Sequence, residues 1–98
     1  MLPKVKLVIC EPFILPVGRV KNNWAKWHEA VTRRRIIAGQ LVSEFDAVFV
    51  PLQQPFNDAL AKAPADYWIW DGIHPMPAGH QLIANEWLKA VNKGIKLL

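Results

Sequence analysis

Two short runs, Val5 to Cys10 and Ala47 to Val50, are apolar almost throughout and show no alternation of polar positions. A strand that meets water on one face alternates, whereas a strand covered on both faces does not. The residues between the runs suffice for a helix and its connections, so the two strands are expected to pair in parallel through a crossover. Two such strands alone make a poor sheet, because each leaves an unpaired edge and an uncovered face. The pattern therefore predicts an α/β fold, and one part of a larger doubly wound sheet.

The remaining elements are set by local chemistry. The first strand runs into Glu11-Pro12-Phe13, with Pro16 and Gly18 close behind, which makes a rigid, irregular loop. A parallel strand opening into such a loop is where α/β proteins place their chemistry. Asn22 or Asn23 is expected to cap a helix reaching about Phe45, with Trp27, Val31, Ala38, Leu41, Val42 and Phe45 as its apolar positions. Pro51 stops the second strand. A short helix is expected over Pro55 to Ala61, then a connector from Ala63 to Asp66. Pro77 suits the first turn of a last helix, Leu82, Ile83, Trp87, Leu88 and Val91 its buried stripe, and Gly94 its stop.

Composition narrows the classes. At 98 residues and +4 formal charge the chain is one compact unit without the charge density that nucleic-acid binding requires. Arg33-Arg34-Arg35 fan around a helix rather than form a stripe, so a solvated face is expected and no nucleic-acid partner. Cys10 is the single cysteine, so no internal disulfide forms. Its expected role is a small buried hydrophobe, against the alternative of a nucleophile. No apolar stretch is long enough to span a bilayer, and Met1-Leu2-Pro3-Lys4 lacks the apolar region of a secretory leader, so no membrane partner and a cytoplasmic location are expected.

The segment that carries chemistry is Tyr67-Trp68-Ile69-Trp70-Asp71-Gly72-Ile73-His74-Pro75-Met76-Pro77-Ala78-Gly79-His80. Asp71 and His74 stand three apart in a loop punctuated by Gly72 and Pro75. Such a turn folds the carboxylate back onto the imidazole, where it accepts from Nδ1–H, fixes the tautomer and leaves Nε2 as a general base. The alternative is an ordinary Asp-Gly turn and a histidine that merely precedes a helix. Trp68 and Trp70 either line an acyl or sugar pocket or pack to hold the loop. Glu11, at the end of a strand beside the expected site, either hydrogen-bonds its own loop or anchors substrate. His74, His80, His28 and Asp71 do not complete a tetrahedral set, so no metal and no other cofactor is expected.

Asp71-Gly72-Ile73-His74-Pro75, followed by Ala78-Gly79-His80-Gln81-Leu82-Ile83-Ala84, resembles the last conserved block of the SGNH/GDSL hydrolases. Cys10-Glu11-Pro12-Phe13-Ile14-Leu15-Pro16 and Phe49-Val50-Pro51-Leu52-Gln53 resemble the regions of that family's last two strands, most closely in its acetylesterase-like members. The resemblance implies a three-layer α/β/α, flavodoxin-like fold, with residues 1–98 as the C-terminal portion of one such domain. It implies that Asp71 and His74 are the acid and base of a Ser-His-Asp triad, and that His80 is structural. The family's serine and oxyanion-hole blocks have no counterpart here. Ser43 falls inside the expected helix, and Asn22, Asn23 and Asn57 lack the family's Gly-x-Asn setting.

The resemblance thus implies a part of a serine esterase that acts on carboxylic esters, acetyl esters of carbohydrates among them. Loss of the nucleophile costs a serine hydrolase about 10⁶-fold in turnover, and loss of oxyanion donors roughly another 10²–10³. The chain alone is therefore expected to be inert as an esterase. It is expected to need the N-terminal half or to self-associate. The alternative is a non-catalytic folding or dimerisation module derived from the same fold.

Overall fold

A computed structural model describes residues 5–95. The elements run β1 (Val8–Cys10), a 3₁₀ helix (Gly18–Asn23), α1 (Trp24–Phe45), β2 (Val48–Val50), α2 (Gln53–Ala59), α3 (Ala65–Trp68) and α4 (Pro77–Ile95). β1 and β2 pair in parallel, with Val8 beside Val48, Ile9 beside Phe49 and Cys10 beside Val50. The α/β architecture with a parallel sheet is thus as the apolar runs predict. Residues 1–4, which bear on the question of a leader, lie outside the described residues.

The core gathers where β2 leaves the sheet. Val50, Leu52, Phe56, Ile69 and Leu15 are buried together, with Val8, Trp68, Leu82, Ile83 and Ala90 packed around them. Burial of one large aliphatic or aromatic side chain contributes about 1.5–3 kcal/mol, so this cluster, drawn from separate stretches of chain, fastens the loops to the sheet.

The helices depart from expectation in instructive ways. Asn23 occupies the N-cap of α1 but makes no side-chain capping bond, because the preceding 3₁₀ turn runs directly into the helix. At its other end Asp46 adopts a left-handed conformation (φ 49°) and its N–H closes on the Val42 carbonyl. Of the apolar positions assigned to α1 only Ala38 is fully buried; Trp27, Leu41 and Phe45 are exposed, as are Ile36 and Ile37. On α4, Val91 is buried, whereas Trp87 and Leu88 face outward. Helical periodicity fixes which residues share a stripe but not whether anything covers it.

Three local expectations are corrected. Cys10 is exposed rather than buried, since among the described residues β1 has β2 as its one strand neighbour. The connector from Ala63 to Asp66 turns into α3 immediately after Pro64. Gly94 does not stop α4: it lies within the helix, and a Cβ there would press on the Val48 side chain. Its smallness lets α4 approach β2.

Candidate active site

The site begins with the loop that leaves β1. Glu11 is buried; its Oε1 accepts the backbone N–H groups of Leu52 (3.0 Å) and Gln53 (2.9 Å), and its Oε2 accepts Nε–H of Arg35 (3.0 Å). Burial alone would raise its pKa, but the Gln53 N–H, the Arg35 side chain and the Leu52 N–H together hold it below the ordinary carboxylate value. The carboxylate considered as a substrate anchor is thus occupied in tying the β1 loop to the start of α2.

Gln53 extends that tie. Its side-chain amide accepts from Ile14 N–H (2.9 Å) and donates to the Ile14 carbonyl (2.8 Å), as a neighbouring strand would. Nε2 also donates to Asn57 Oδ1 at 3.0 Å. Phe13 stacks on Phe56 with ring centroids 4.6 Å apart. A loop with few regular backbone bonds is made rigid by side chains that satisfy its buried groups.

This rigid loop is the wall against which the second loop folds. Leu15 N–H donates to the Gly72 carbonyl at 3.3 Å. Gly72 stands at φ +92°, where a Cβ would collide with Val20 and the Val17 carbonyl. The far side of the second loop is closed by an antiparallel bridge between Ile69 and Pro75 and by Met76 N–H donating to the Trp68 carbonyl (2.8 Å).

Inside that closure Asp71 is 3 % exposed. Its Oδ1 accepts the N–H groups of Ile73 (2.9 Å) and His74 (2.7 Å), the local turn that Asp favours. Its Oδ2 accepts Nδ1 of His74 at 2.5 Å. Burial would push the Asp71 pKa up; the His74 N–H, the His74 ring, the Ile73 N–H and the charge of His74 outweigh it and hold the carboxyl far below its ordinary range. An ionised carboxylate only accepts, so Nδ1 carries a proton, and in the neutral form of the ring Nε2 is the nitrogen with the free lone pair. The His74 side chain is 61 % exposed, and Nε2 has no partner among the described residues. The arrangement is an exposed imidazole held through Nδ1 by a buried carboxylate.

The two tryptophans separate. Trp68 is half-buried against the core, and its Nε1–H donates to the Ala63 carbonyl at 3.2 Å, so it holds the loop. Trp70 is 58 % exposed beside Asp71. His80 donates its backbone N–H to the Met76 carbonyl at the start of α4. Ser43 sits near the far end of α1, about 28 Å along the helix from its first residue, whereas the 3₁₀ helix preceding α1 touches Asp71. A hollow of about 450 Å³ between α2 and α4 is lined by Trp68, Leu82 and Lys89 among others, and takes in neither Asp71 nor His74. Among the described residues no cluster of metal-ligating side chains occurs, and no helix is long and apolar enough to cross a membrane.

Two residues of the site have no signal in the sequence motif. Gly18 lies against the backbone of Trp70 and Asp71, and Arg19 brings Nη2 within 3.6 Å of Asp71 Oδ2. A glycine and an arginine following a proline-rich loop carry no pattern that joins them to a motif far along the chain.

A parallel α/β unit that presents a carboxylate–imidazole pair beyond the carboxyl ends of its strands has the form of a hydrolase active-site region. No family model matches the chain. It is 31 % identical over 96 residues to an acetylxylan esterase of Geobacillus stearothermophilus, a match covering 91 % of this chain and 39 % of that protein. A crystal structure described as a GDSL-like lipase from Parabacteroides merdae superposes with a TM-score of 0.85 at 42 % identity, over 93 % of this chain and 41 % of the other. A crystal structure of an acetylxylan esterase from Geobacillus stearothermophilus shares the fold, with a TM-score of 0.71 and 23 % identity over 88 % of this chain and 37 % of that one. The chain is a relative of the GDSL-type hydrolases and spans about two fifths of the length of the relatives it matches.

Proposed function

We propose that this chain supplies the proton-handling part of a serine ester hydrolase, with His74 as general base and Asp71 as its orienting partner. The observation that carries the proposal is the 2.5 Å contact between His74 Nδ1 and Asp71 Oδ2, with Nε2 left outward-facing. Its support in kind comes from relatives described as a GDSL-like lipase and an acetylxylan esterase.

The reaction needs a serine hydroxyl brought to Nε2 by polypeptide outside these 98 residues. Nε2 takes the hydroxyl proton as the serine oxygen bonds to the ester carbonyl carbon. The imidazolium is stabilised by Asp71 and returns the proton to the departing alkoxide, leaving an acyl-serine. Water then repeats the sequence and releases the carboxylic acid. An acetyl group on a carbohydrate is the substrate proposed. Exposed Trp70, next in sequence to Asp71, offers an aromatic face to a sugar ring.

The exposed apolar side chains of α1 and α4 support the companion proposal that further polypeptide covers these helices in the working protein. Ile36, Ile37 and Phe45 on α1, with Leu88 on α4, are surfaces that a soluble chain ordinarily buries.

Complementation tests the proposal. The N-terminal part of a related esterase, carrying its serine, is mixed with this chain and assayed on p-nitrophenyl acetate and acetylated xylan. Activity is expected with the native chain and not with His74→Ala. Turnover that survives His74→Ala removes His74 as the base.

A further inference from the structure

Arg19 stands where the chemistry of the proposed hydrolysis assigns no residue. Its Nη2 lies 3.6 Å from Asp71 Oδ2, the same oxygen that accepts His74 Nδ1 at 2.5 Å. The guanidinium and the imidazole therefore sit on one carboxylate oxygen, within about 6 Å of each other. The approach is built in rather than casual. Gly18, at φ +65°, packs its backbone against Asp71 so closely that a Cβ would overlap the Asp71 Cα. That contact delivers the next residue, Arg19, to the carboxylate. The Arg19 side chain is 64 % exposed, whereas the carboxylate it meets is buried.

We infer that Arg19 is a positioning residue that sets the charge state of the dyad, resting on the assignment of Asp71 and His74 as orienter and base. A fixed positive charge across the carboxylate opposes formation of the imidazolium. It thereby keeps His74 neutral, and able to accept a proton, to lower pH than Asp71 alone would allow.

Other charges around the pair do not compete for this role. The loop after β1 carries Glu11, which is engaged by Leu52, Gln53 and Arg35. The 3₁₀ helix adds Lys21, α3 adds Asp66 and the start of α4 adds His80. None of these three makes an ion pair or hydrogen bond with Asp71 or His74 among the described residues.

Histidine titration of this chain by NMR tests the inference without requiring ester hydrolysis, with His28 and His80 as internal controls. Arg19→Met is expected to raise the His74 midpoint by roughly half a pH unit. Arg19→Lys should return it close to the native value. The difference between Arg19→Met and the native chain should collapse in 1 M salt, where the screening length is about 3 Å. The sign is diagnostic. If Arg19 merely propped Asp71 in place, its loss would weaken the carboxylate's hold and lower the His74 midpoint. A downward shift, or none, in Arg19→Met overturns the inference. Asp71→Asn separates this from the dyad itself: a clear fall of the His74 midpoint there upholds the dyad whatever Arg19 does. No movement in Asp71→Asn overturns both.

Discussion

Gly18 and Asp71 touch backbone to backbone, so closely that a Cβ on Gly18 would occupy the space of the Asp71 Cα and carbonyl carbon. The contact joins the loop that leaves β1 to the loop that holds the imidazole. It makes the position of His74 depend on a residue with no functional group.

Gly18→Ala is expected to destabilise the chain by more than the roughly 1–2 kcal/mol that a left-handed conformation costs an ordinary residue. Gly18→Asn provides the control, because asparagine tolerates that conformation. If backbone conformation alone required the glycine, asparagine would be accepted. The steric contact predicts that both variants lose stability and disturb the His74 ring resonances, as thermal unfolding and NMR would show.

Glu11→Ala strips the partner from two backbone N–H groups and from Arg35. Leaving buried donors and a part-buried charge unpaired costs about 2–5 kcal/mol. Glu11→Gln keeps an acceptor for Leu52 and Gln53 and should lose less. Urea unfolding of the two variants checks the order, and equal losses would show that the charge, not the acceptor geometry, holds the loop.

Asp71 and Glu11 both titrate in the folded chain below their ordinary values of 3.8 and 4.5. Between the folded and unfolded values the unfolded chain binds more protons, so stability rises with pH there. The contribution is complete above the ordinary values and is lost as the pH falls through the folded ones. Urea midpoints of the native chain should therefore decline below about pH 4.5. The decline should be shallower in Glu11→Gln, which no longer has that proton to take up.

Trp68 and Trp70 are two residues apart and are expected to answer differently. Trp68→Ala removes an indole packed on the core and its bond to Ala63, a loss of about 3 kcal/mol. Trp70→Ala should change stability by no more than about 0.5 kcal/mol, since its ring is exposed. In the complemented esterase, Trp70→Ala should raise KM for acetylated xylan more than for p-nitrophenyl acetate. An equal change for both substrates removes the sugar contact.

The features legible in the amino-acid order are those that depend on neighbours along the chain. The parallel α/β character comes from two apolar runs without alternation. The pairing of Asp71 with His74 comes from turn chemistry confined to four residues, where an Asp caps N–H groups two and three positions on. Tertiary structure alone decided the rest. Gln53 serves Ile14 as a strand would, Glu11 closes its own loop, Gly94 admits α4 to β2, and Gly18 with Arg19 reaches Asp71. These are meetings between segments distant in sequence, set by the packing of the β1 loop on α2 and of the imidazole loop on the β1 loop. Periodicity states which side of a helix is apolar and spacing states which groups can turn back on each other. Neither says what lies opposite, because an opposing surface is a property of the packed chain and not of the segment.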